Sequence, residues 1–297
     1  MHVLVTGATG LVGPRVVSAL LARGDTVTVL SRNPDSARAR LGDVRALGWS
    51  PPTVPPEALQ GVDGVIHLAG EPVPGRWTDE KKRRIHDSRE QGTKALVDAI
   101  AAADPKPAVL VSASAIGWYG DRGDEVLTED STPGDDFLAT VCKAWEEAAA
   151  AVEEHSVRRV SLRIGLVLDP AGGALGEMLP MAKLGLAGPL GGGRQWWSWI
   201  HRDDLVAMLL AALDGDWAGA YNATAPNPVS QGAFAKAVGA TLGRPAFLPA
   251  PAFALKIALG GFSTEILTSK KILPKRAQEA GFAFAYEDLE PALKDLL

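Results

Sequence analysis

Short apolar runs alternate along the chain with stretches in which apolar residues recur at helical spacing. Residues 3–5 form an uncharged run, as expected of a strand buried on both faces of a parallel sheet. Apolar residues between positions 16 and 21 then follow the period of a helix. Further predicted strands cover residues 26–30, 45–49, 64–70, 109–114 and 160–166, and longer predicted helices cover residues 78–100 and 136–152. The alternation predicts an α/β fold with a doubly wound parallel sheet.

A glycine-rich turn joins the first predicted strand to the first predicted helix. Residues without a Cβ let the backbone approach a pyrophosphate, whose charge then lies against the N–H groups of a helix N-terminus. The spacing is GxxGxxG rather than GxGxxG, and glycine-rich turns also close ordinary strand–helix corners. Between a strand and a helix, however, the pattern predicts a dinucleotide site. The predicted cofactor contacts in this loop are Gly7, Thr9, Gly10, Leu11, Val12 and Gly13.

The tip of the second predicted strand indicates which dinucleotide binds. NAD sites place an acidic side chain there, about 20 residues beyond the glycines, to accept hydrogen bonds from the ribose 2′-hydroxyl. This chain has Ser31 and Arg32 instead, and a guanidinium can hold a 2′-phosphate through two parallel hydrogen bonds. We therefore predict NADP(H) as the cofactor, although Arg32 could instead be a solvated residue at a strand end. Arg38 and Arg40 could reinforce the phosphate site or decorate a helix surface.

Two further strand ends belong to the predicted site, since ligands of a doubly wound sheet bind at its carboxyl edge. The fourth strand runs into a second glycine turn, where Leu68, Ala69 and Gly70 are expected to approach the cofactor. His67 lies inside that apolar strand, which indicates a hydrogen-bonded core residue rather than a catalyst. The fifth strand ends at Ser114, whose hydroxyl would lie beside the cofactor, where hydride transfer takes place.

Bulk composition argues against several classes of protein. Hydrophobic residues make up 46% of the 297 residues, which fits a globular chain with one large α/β domain or two smaller ones. The net charge of -5 argues against a nucleic-acid or anionic-membrane surface. The single cysteine allows no internal disulfide. With no signal sequence ahead of the first strand and no apolar run of membrane-spanning length, we expect a cytoplasmic protein.

The composition changes beyond the sixth predicted strand. Glycines punctuate residues 172–193, and three tryptophans follow between positions 196 and 199. Glycine-rich loops commonly cover a bound ligand, whereas the tryptophans could either stack on a substrate ring or fill a core. We therefore predict a cofactor-binding domain of residues 1–165 and a smaller substrate-facing part of residues 166–297, integrated with the first.

Seven segments of the sequence resemble those of the extended short-chain dehydrogenase/reductases, relatives of the nucleotide-sugar epimerases. They are TGATGLVG (6–13), HLAGEPV (67–73), RWT (76–78), SRE (88–90), SASAIGWYG (112–120), SWIHRDD (198–204) and YNATAPNPVS (221–230). More narrowly, the chain resembles the atypical branch labelled SDR39U1-type or YfcH-like epimerases. The resemblance implies a Rossmann-like sheet, a nicotinamide cofactor and a small C-terminal domain, about residues 245–297, that shapes the substrate pocket.

The resemblance also implies catalytic positions. Typical members use a Ser, a Tyr that acts as general acid or base, and a Lys that lowers the Tyr pKa, the last two in a YxxxK helix. Ser114 falls at the Ser position, whereas Cys142 and Glu146 fall at the Tyr and Lys positions. Lys143 is one residue out of register, about 100° round the helix. Arg89 stands where a typical member has an Asn, and we expect it to contact the cofactor.

Two groups could replace the missing tyrosine. Tyr119 follows Ser114 in the same loop and could present its hydroxyl to the substrate, or it could pack at a turn. The Cys142 thiol could titrate near neutrality with help from Lys143 or a helix end, or it could be a small buried apolar residue.

The expected function is that of an NADP(H)-dependent oxidoreductase or epimerase acting on a small carbonyl or carbinol substrate. The alternative is an NADP(H)-sensing regulator or scaffold without turnover, which the replacements at Cys142 and Glu146 favour. The scattered histidines indicate no metal site. The family implies a homodimer through the two long helices.

Overall fold

Seven parallel strands form the central sheet of the computed structural model, which describes all 297 residues. Numbered along the chain, the strands are β1 (His2–Thr6), β2 (Thr26–Ser31), β3 (Arg45–Gly48), β4 (Gly64–His67), β5 (Val109–Ala115), β6 (Val126–Leu127), β7 (Arg158–Ile164), β8 (Leu166–Leu168), β9 (Trp196–Trp197), β10 (Trp199–His201), β11 (Gly219–Ala223), β12 (Val229–Ser230) and β13 (Lys271–Ile272). The sheet has the order β11-β7-β5-β4-β1-β2-β3. The predicted α/β fold with a Rossmann-like doubly wound sheet is confirmed.

Helices cover both faces of this sheet, because successive residues of a strand point to opposite sides. The helices are α1 (Gly13–Ala22), α2 (Pro34–Leu41), α3 (Asp79–Ala102), α4 (Phe137–Ala150), α5 (Gly173–Lys183), α6 (Arg202–Asp214), α7 (Gln231–Thr241), α8 (Ala252–Leu259), α9 (Phe262–Leu267), α10 (Lys275–Glu279) and α11 (Leu289–Leu296). Val3 and Val5 of β1 belong to the core that α1 and α6 cover. Leu4, between them, belongs to the opposite core, which α3 covers.

The two long helices begin where their capping residues place them. Thr78 Oγ1 accepts the Lys81 N–H at 3.2 Å, and Asp136 Oδ1 accepts the Ala139 N–H at 2.8 Å. Each bond satisfies an N–H group that the first helical turn leaves without a partner. Helices α3 and α4 therefore start one residue after their caps, and the register of α4 fixes which of its side chains face the sheet.

The predicted division at residue 165 falls before the last strand of the central sheet. Strand β11 pairs with β7 at the sheet edge, and α6 packs on the same sheet. Residues 202–223 are thus part of the sheet layers. The rest of the C-terminal part packs around a separate apolar core that includes Leu175, Trp199 and Phe234.

The C-terminal segment is tied to two earlier parts of the chain. Strand β13 pairs in parallel with β6. Both carboxylate oxygens of Asp204 accept backbone N–H bonds, from Ala285 at 2.8 Å and from Tyr286 at 3.0 Å. These ties hold the segment against the carboxyl edge of the sheet. None of the helices has both the length and the apolar character that crossing a membrane requires.

Candidate functional site

One cavity of about 490 Å³ lies at the carboxyl edge of the sheet. It reaches from Leu11 in the glycine loop, past the end of β5 and past Cys142 on α4, to a wall that the C-terminal segment supplies from Phe262 to Lys270. Doubly wound folds bind their ligands at this edge. The cavity is therefore the candidate active site, with a cofactor side at the glycine loop and a substrate side at the C-terminal wall.

The glycines of the loop allow neighbouring backbone segments to pack directly against it. Gly7 has a φ of +69°, and a Cβ on it would lie 2.6 Å from the carbonyl carbon of Leu68. A Cβ on Gly13 would lie 2.5 Å from the backbone of Ala8. Helix α1 follows with no side chain capping its first turn, so the helix terminus can receive an anion. A tightly packed glycine loop that ends at an uncapped helix N-terminus has the charge preference of a pyrophosphate cradle.

Basic side chains border the loop at the end of β2. Arg32 is exposed and near enough to Glu71 to contribute to the lowered pKa of that carboxyl, which a hydrogen bond from Lys81 chiefly causes. Arg40 donates to the Thr9 carbonyl of the glycine loop at 2.8 Å. Arg32 therefore has a free guanidinium beside the cradle, while Arg40 braces the cradle backbone.

Two neighbours of Arg32 have structural partners. The Ser31 hydroxyl exchanges hydrogen bonds with the Asn33 backbone at 3.2 Å. Arg38 donates to the Ala46 carbonyl at 3.1 Å and pairs with Asp35. Arg38 thus lies on the helix surface, which leaves Arg32 as the arginine best placed for a 2′-phosphate.

The end of β4 forms the second wall of the cofactor side. Ala69 donates its N–H to Thr6 Oγ1 at 3.3 Å, next to Leu68 in the turn that crosses Gly7. Arg89 lies against Gly70, where a Cβ would come within 3.2 Å of the guanidinium carbon. The structure brings these predicted residues together around the glycine loop.

Arg89 is held by α3 and the loop before it. Its Nη1 donates to the carbonyls of Glu71 at 3.0 Å and Ile85 at 3.1 Å. Its guanidinium lies 4.9 Å from the centroid of the Trp145 ring. Burial lowers the pKa of Arg89, and it lines the cavity on the cofactor side.

His67 is a hydrogen-bonded core residue, as its place in an apolar strand indicates. Its Nδ1 lies 2.6 Å from Thr6 Oγ1 and its Nε2 lies 3.0 Å from Thr93 Oγ1, with no exposure to solvent. Burial, with the nearby Arg89 charge, lowers the pKa of His67 to about 4. The imidazole is therefore neutral at pH 7 and serves the fold.

This shift makes His67 a source of acid sensitivity. Between the unfolded pKa of 6.5 and the folded pKa of about 4, protons bind the unfolded chain only, so stability is full above pH 6.5 and falls as the pH drops. We expect His67 to lower the free energy of unfolding by about 2 kcal/mol when the pH falls to about 4.5. Urea denaturation at pH 7 and at about pH 4.5 should show a smaller loss of unfolding free energy between the two for His67→Gln than for the native chain. The exposed His155→Gln variant should behave as the native chain does, and an unchanged loss in His67→Gln would contradict the assignment.

Cys142 and Glu146 occupy one face of α4, as their four-residue spacing requires. Cys142 lines the cavity, with its Sγ 3.6 Å from the Ala115 carbonyl. Burial, with the nearby Glu146 charge, raises the pKa of Cys142 to about 12, so the thiol keeps its proton at pH 7. Lys143 points elsewhere and donates to the Gly134 carbonyl at 3.3 Å. The expectation of a thiol titrating near neutrality with help from Lys143 is corrected by this geometry.

Ser114 lies below the cavity rather than on its surface. Its buried hydroxyl donates to Glu146 Oε1 at 2.6 Å. Glu146 in turn accepts two bonds from the Arg163 guanidinium, from Nε at 2.8 Å and from Nη2 at 2.9 Å. Where typical relatives have a lysine, this chain therefore has a buried, closed network of Ser114, Glu146 and Arg163.

The position of Tyr119 differs from the expectation. Its side chain is fully buried, and its hydroxyl donates to Asn222 Oδ1 at 2.7 Å while accepting from Arg163 Nη1 at 3.0 Å. Burial raises the pKa of Tyr119 to about 12, and the residue does not line the cavity. The predicted presentation of its hydroxyl to a substrate is thus corrected, because the hydroxyl is already paired on both sides.

Sequence reasoning missed Arg163 and a charged pair in the C-terminal wall, Lys270 and Glu265. Arg163 carried a signal, since it lies between the apolar residues Leu162 and Ile164 of a predicted core strand, and a buried charge requires a partner. Lys270 and Glu265 carried none, because nothing in their local sequence indicates that they face the same cavity as Cys142.

One group of histidine and carboxylates lies outside the cavity. His201 Nε2 faces Asp295 Oδ2 at 3.3 Å, and His201 Nδ1 accepts the Asp203 N–H at 3.2 Å. The ring also stacks on Tyr286, with centroids 3.9 Å apart. These contacts cap α6 and hold α11 beside it.

Fold, glycine loop and cavity together define a Rossmann-type protein of the atypical extended short-chain dehydrogenase/reductase class, as predicted. Residues 3–223 match the NAD dependent epimerase/dehydratase family, and the chain belongs to that family. Residues 250–296 match a domain of unknown function, DUF1731, which contains the C-terminal wall of the cavity.

Named relatives agree with this placement. The chain is 41% identical to the epimerase family protein SDR39U1 homolog, chloroplastic, of Arabidopsis thaliana, covering all of this chain and 87% of that one. A crystal structure of human epimerase family protein SDR39U1 (isoform2) with NADPH is similar with a TM-score of 0.90 at 33% identity, covering 100% and 99% of the two chains. A nucleoside-diphosphate sugar epimerase from Corynebacterium glutamicum has a TM-score of 0.81 at 34% identity, covering 100% of this chain and 58% of that one.

Proposed function

We propose that the protein binds NADP(H) and acts as an oxidoreductase or epimerase on a small carbonyl or carbinol substrate. The observation that carries the proposal is that one cavity extends from Leu11, in the glycine loop, and from Arg89 to the C-terminal wall. A cofactor in the cradle and a substrate against the wall would thus meet in a shared space. The NADPH named in the human relative's structure agrees with the predicted cofactor.

The residues of the cofactor side fit a nicotinamide dinucleotide. Gly7 and Gly13 let the loop pack against the Leu68 turn and Ala8. The uncapped N-terminus of α1 would receive the pyrophosphate, the exposed Arg32 would hold the 2′-phosphate, and Arg89 would line the nicotinamide end. When bound, the dinucleotide supplies or accepts a hydride at the substrate carbon. The chain's own contribution is to bind, to orient and to manage the proton on the substrate oxygen.

Cys142 is the group that we place beside the substrate oxygen. It lines the cavity at the position of the family's tyrosine, and its thiol is protonated at pH 7. Its Sγ proton now points to the Ala115 carbonyl over a long 3.6 Å contact, and it would turn to donate a hydrogen bond to the substrate oxygen, while the network beneath fixes the end of β5 through Ser114. Ser114 is then a positioning residue.

The alternative function is an NADP(H)-sensing regulator without turnover. The closed bonding of Ser114, Glu146 and Arg163 favours it, because this network has no free lysine to lower the pKa of an acid or base.

The two functions differ in NADPH oxidation with carbonyl substrates. Turnover that falls at least about tenfold in Cys142→Ala, with NADPH affinity kept, supports the enzyme. NADPH binding with no oxidation in any variant supports the regulator.

Arg32→Ala tests the cofactor assignment by calorimetric titration with NADPH and NADH. We expect NADPH binding to weaken by about 1.5 to 3 kcal/mol, the value of a hydrogen bond to a charged group, and NADH binding to stay unchanged. Arg38→Ala is the matched control, because Arg38 is paired with Asp35 and Ala46 on the same segment. Equal binding of NADPH and NADH by the native chain would contradict the assignment to Arg32.

The location and assembly of the protein remain predictions. A cytoplasmic location is one, and the Arabidopsis relative carries the word chloroplastic in its name. A homodimer through α3 and α4 is another, and size-exclusion chromatography with light scattering would test it.

A further inference from the structure

The substrate side of the cavity is walled mainly by apolar side chains. They come from three parts of the C-terminal half: Met178 of α5, Leu190 and Trp197 around β9, and Phe262 and Ile266 of α9. Trp197 packs edge to face on Phe234 behind it, with ring centroids 5.2 Å apart. This part of the wall is therefore backed by the C-terminal apolar core. Such a surface favours ligands that bury apolar area.

Lys270 is the cation on the substrate side of the cavity, and Glu265 neutralises its charge. Lys270 Nζ donates to both oxygens of Glu265 at 2.9 Å and to Thr268 Oγ1 at 2.7 Å. An ammonium has three N–H groups, and all three are used. The Lys270 side chain is 4% exposed. Lys270 therefore has neither a spare donor nor an uncompensated charge for an anionic ligand.

No free cation lines the cavity on this side, and the exposed Arg76, whose side chain lies beside Gly260, is outside the lining. Arg89 lies on the cofactor side and is bonded to two backbone carbonyls. Lys271 is not part of the lining, and its ammonium lies 4.2 Å from the ring centroid of Trp196, which is. Glu177 is exposed at the rim and has no ion-pair partner. The excess charge of the substrate side is negative.

We propose that the substrate is an uncharged, largely apolar carbonyl compound or the corresponding alcohol, and not a nucleoside-diphosphate sugar. A diphosphate would bring at least two negative charges beside an apolar wall and Glu177, and an anion buried without a cation is strongly disfavoured. The inference rests on the proposed function, because it concerns the substrate that meets the cofactor in this cavity.

The test uses the whole protein saturated with NADP⁺, whose own binding is measured first by calorimetry. The probes are 2-nonanone and 4-phenyl-2-butanone on one side, and UDP-glucose and UDP-glucuronic acid on the other. We expect the ketones to change the tryptophan fluorescence and to bind at least about tenfold more tightly than either UDP-sugar. Tighter or equal binding of a UDP-sugar, or no binding of either ketone, overturns the proposal. Failure of NADP⁺ to bind is a separate result and overturns the proposed function.

Glu265→Gln provides a sharper version of this test, because it removes the carboxylate that neutralises Lys270. We expect the variant to gain affinity for UDP-glucuronic acid by at least about tenfold, while the matched control Glu290→Gln on the exposed face of α11 gains none. No gain in a folded Glu265→Gln variant overturns the proposal.

A second variant covers the case in which Glu265→Gln does not fold. Glu265→Gln/Lys270→Met leaves the wall without either charge, and exchanging both partners of a buried ion pair for neutral residues of similar volume is often tolerated. We expect the double variant to bind the ketones at least as tightly as the native chain and to bind no UDP-sugar. Loss of ketone binding in the folded double variant overturns the proposal.

Discussion

Glu146→Gln is expected to lower the free energy of unfolding by about 3 kcal/mol or more. The change leaves the guanidinium of Arg163 buried without its counter-charge, and Arg163 is only 4% exposed. The glutamine amide also cannot accept both bonds that Arg163 Nε and Nη2 now make to the carboxylate. Urea denaturation followed by circular dichroism measures the loss.

A surface ion pair of the same residue types is the matched control for this prediction. Arg159 donates to Glu153 at 2.9 Å, but the Glu153 side chain is half exposed. Glu153→Gln should therefore cost less than about 1 kcal/mol. Equal losses in the two variants would show that the network under the cavity contributes no more than a solvated pair.

Gly7→Ala is expected to weaken NADPH binding at least about tenfold and to destabilise the chain, since a β-carbon there is strained and overlaps the backbone of Leu68. The overlap moves the turn of Leu68 and Ala69, which is the wall that faces the cradle. The measurement is calorimetric titration with NADPH, paired with a denaturation curve.

Gly24→Ala is the control for Gly7→Ala. It separates the effect of backbone strain from the effect of overlap with a neighbouring backbone segment. Gly24 has a φ of +84°, as strained for alanine as Gly7, but a Cβ there would meet nothing within 4 Å. We expect it to cost about 1 kcal/mol of stability and to leave NADPH binding unchanged. If Gly7→Ala also binds NADPH normally, the turn is a structural corner and the cofactor lies elsewhere.

The buried network explains why this chain can lack the family's Tyr and Lys without losing the shape of its site. Glu146 and Arg163 fix the end of β5 from below, and Cys142 keeps a proton donor on the cavity surface. What remains is a cavity with a neutral acid and no tyrosine–lysine pair. Any catalysis must then depend more on positioning than on an activated base.

Much of the cofactor side followed from the sequence alone. Alternating apolar runs and helical periods determine which segments are strands and which are helices, because the core accepts only residues with the right spacing. Glycines between a strand and a helix predict a close approach of the backbone to a pyrophosphate; the structure shows Gly7 close to the Leu68 backbone, and the pyrophosphate contact stays a prediction. The resemblance placed Cys142 and Glu146 at the Tyr and Lys positions of one helix, and both lie on the helix face toward the end of β5.

Only the tertiary structure decided what each polar side chain faces. Tyr119 is five residues from Ser114, yet it turns into the core, because Asn222 and Arg163 arrive there from distant strands. Lys270 and Glu265 are only five residues apart, but their position in the wall opposite Cys142 depends on contacts across more than 100 residues. Local sequence sets the backbone through steric and hydrophobic periodicity. The direction and charge state of a buried side chain depend on partners that only folding brings together.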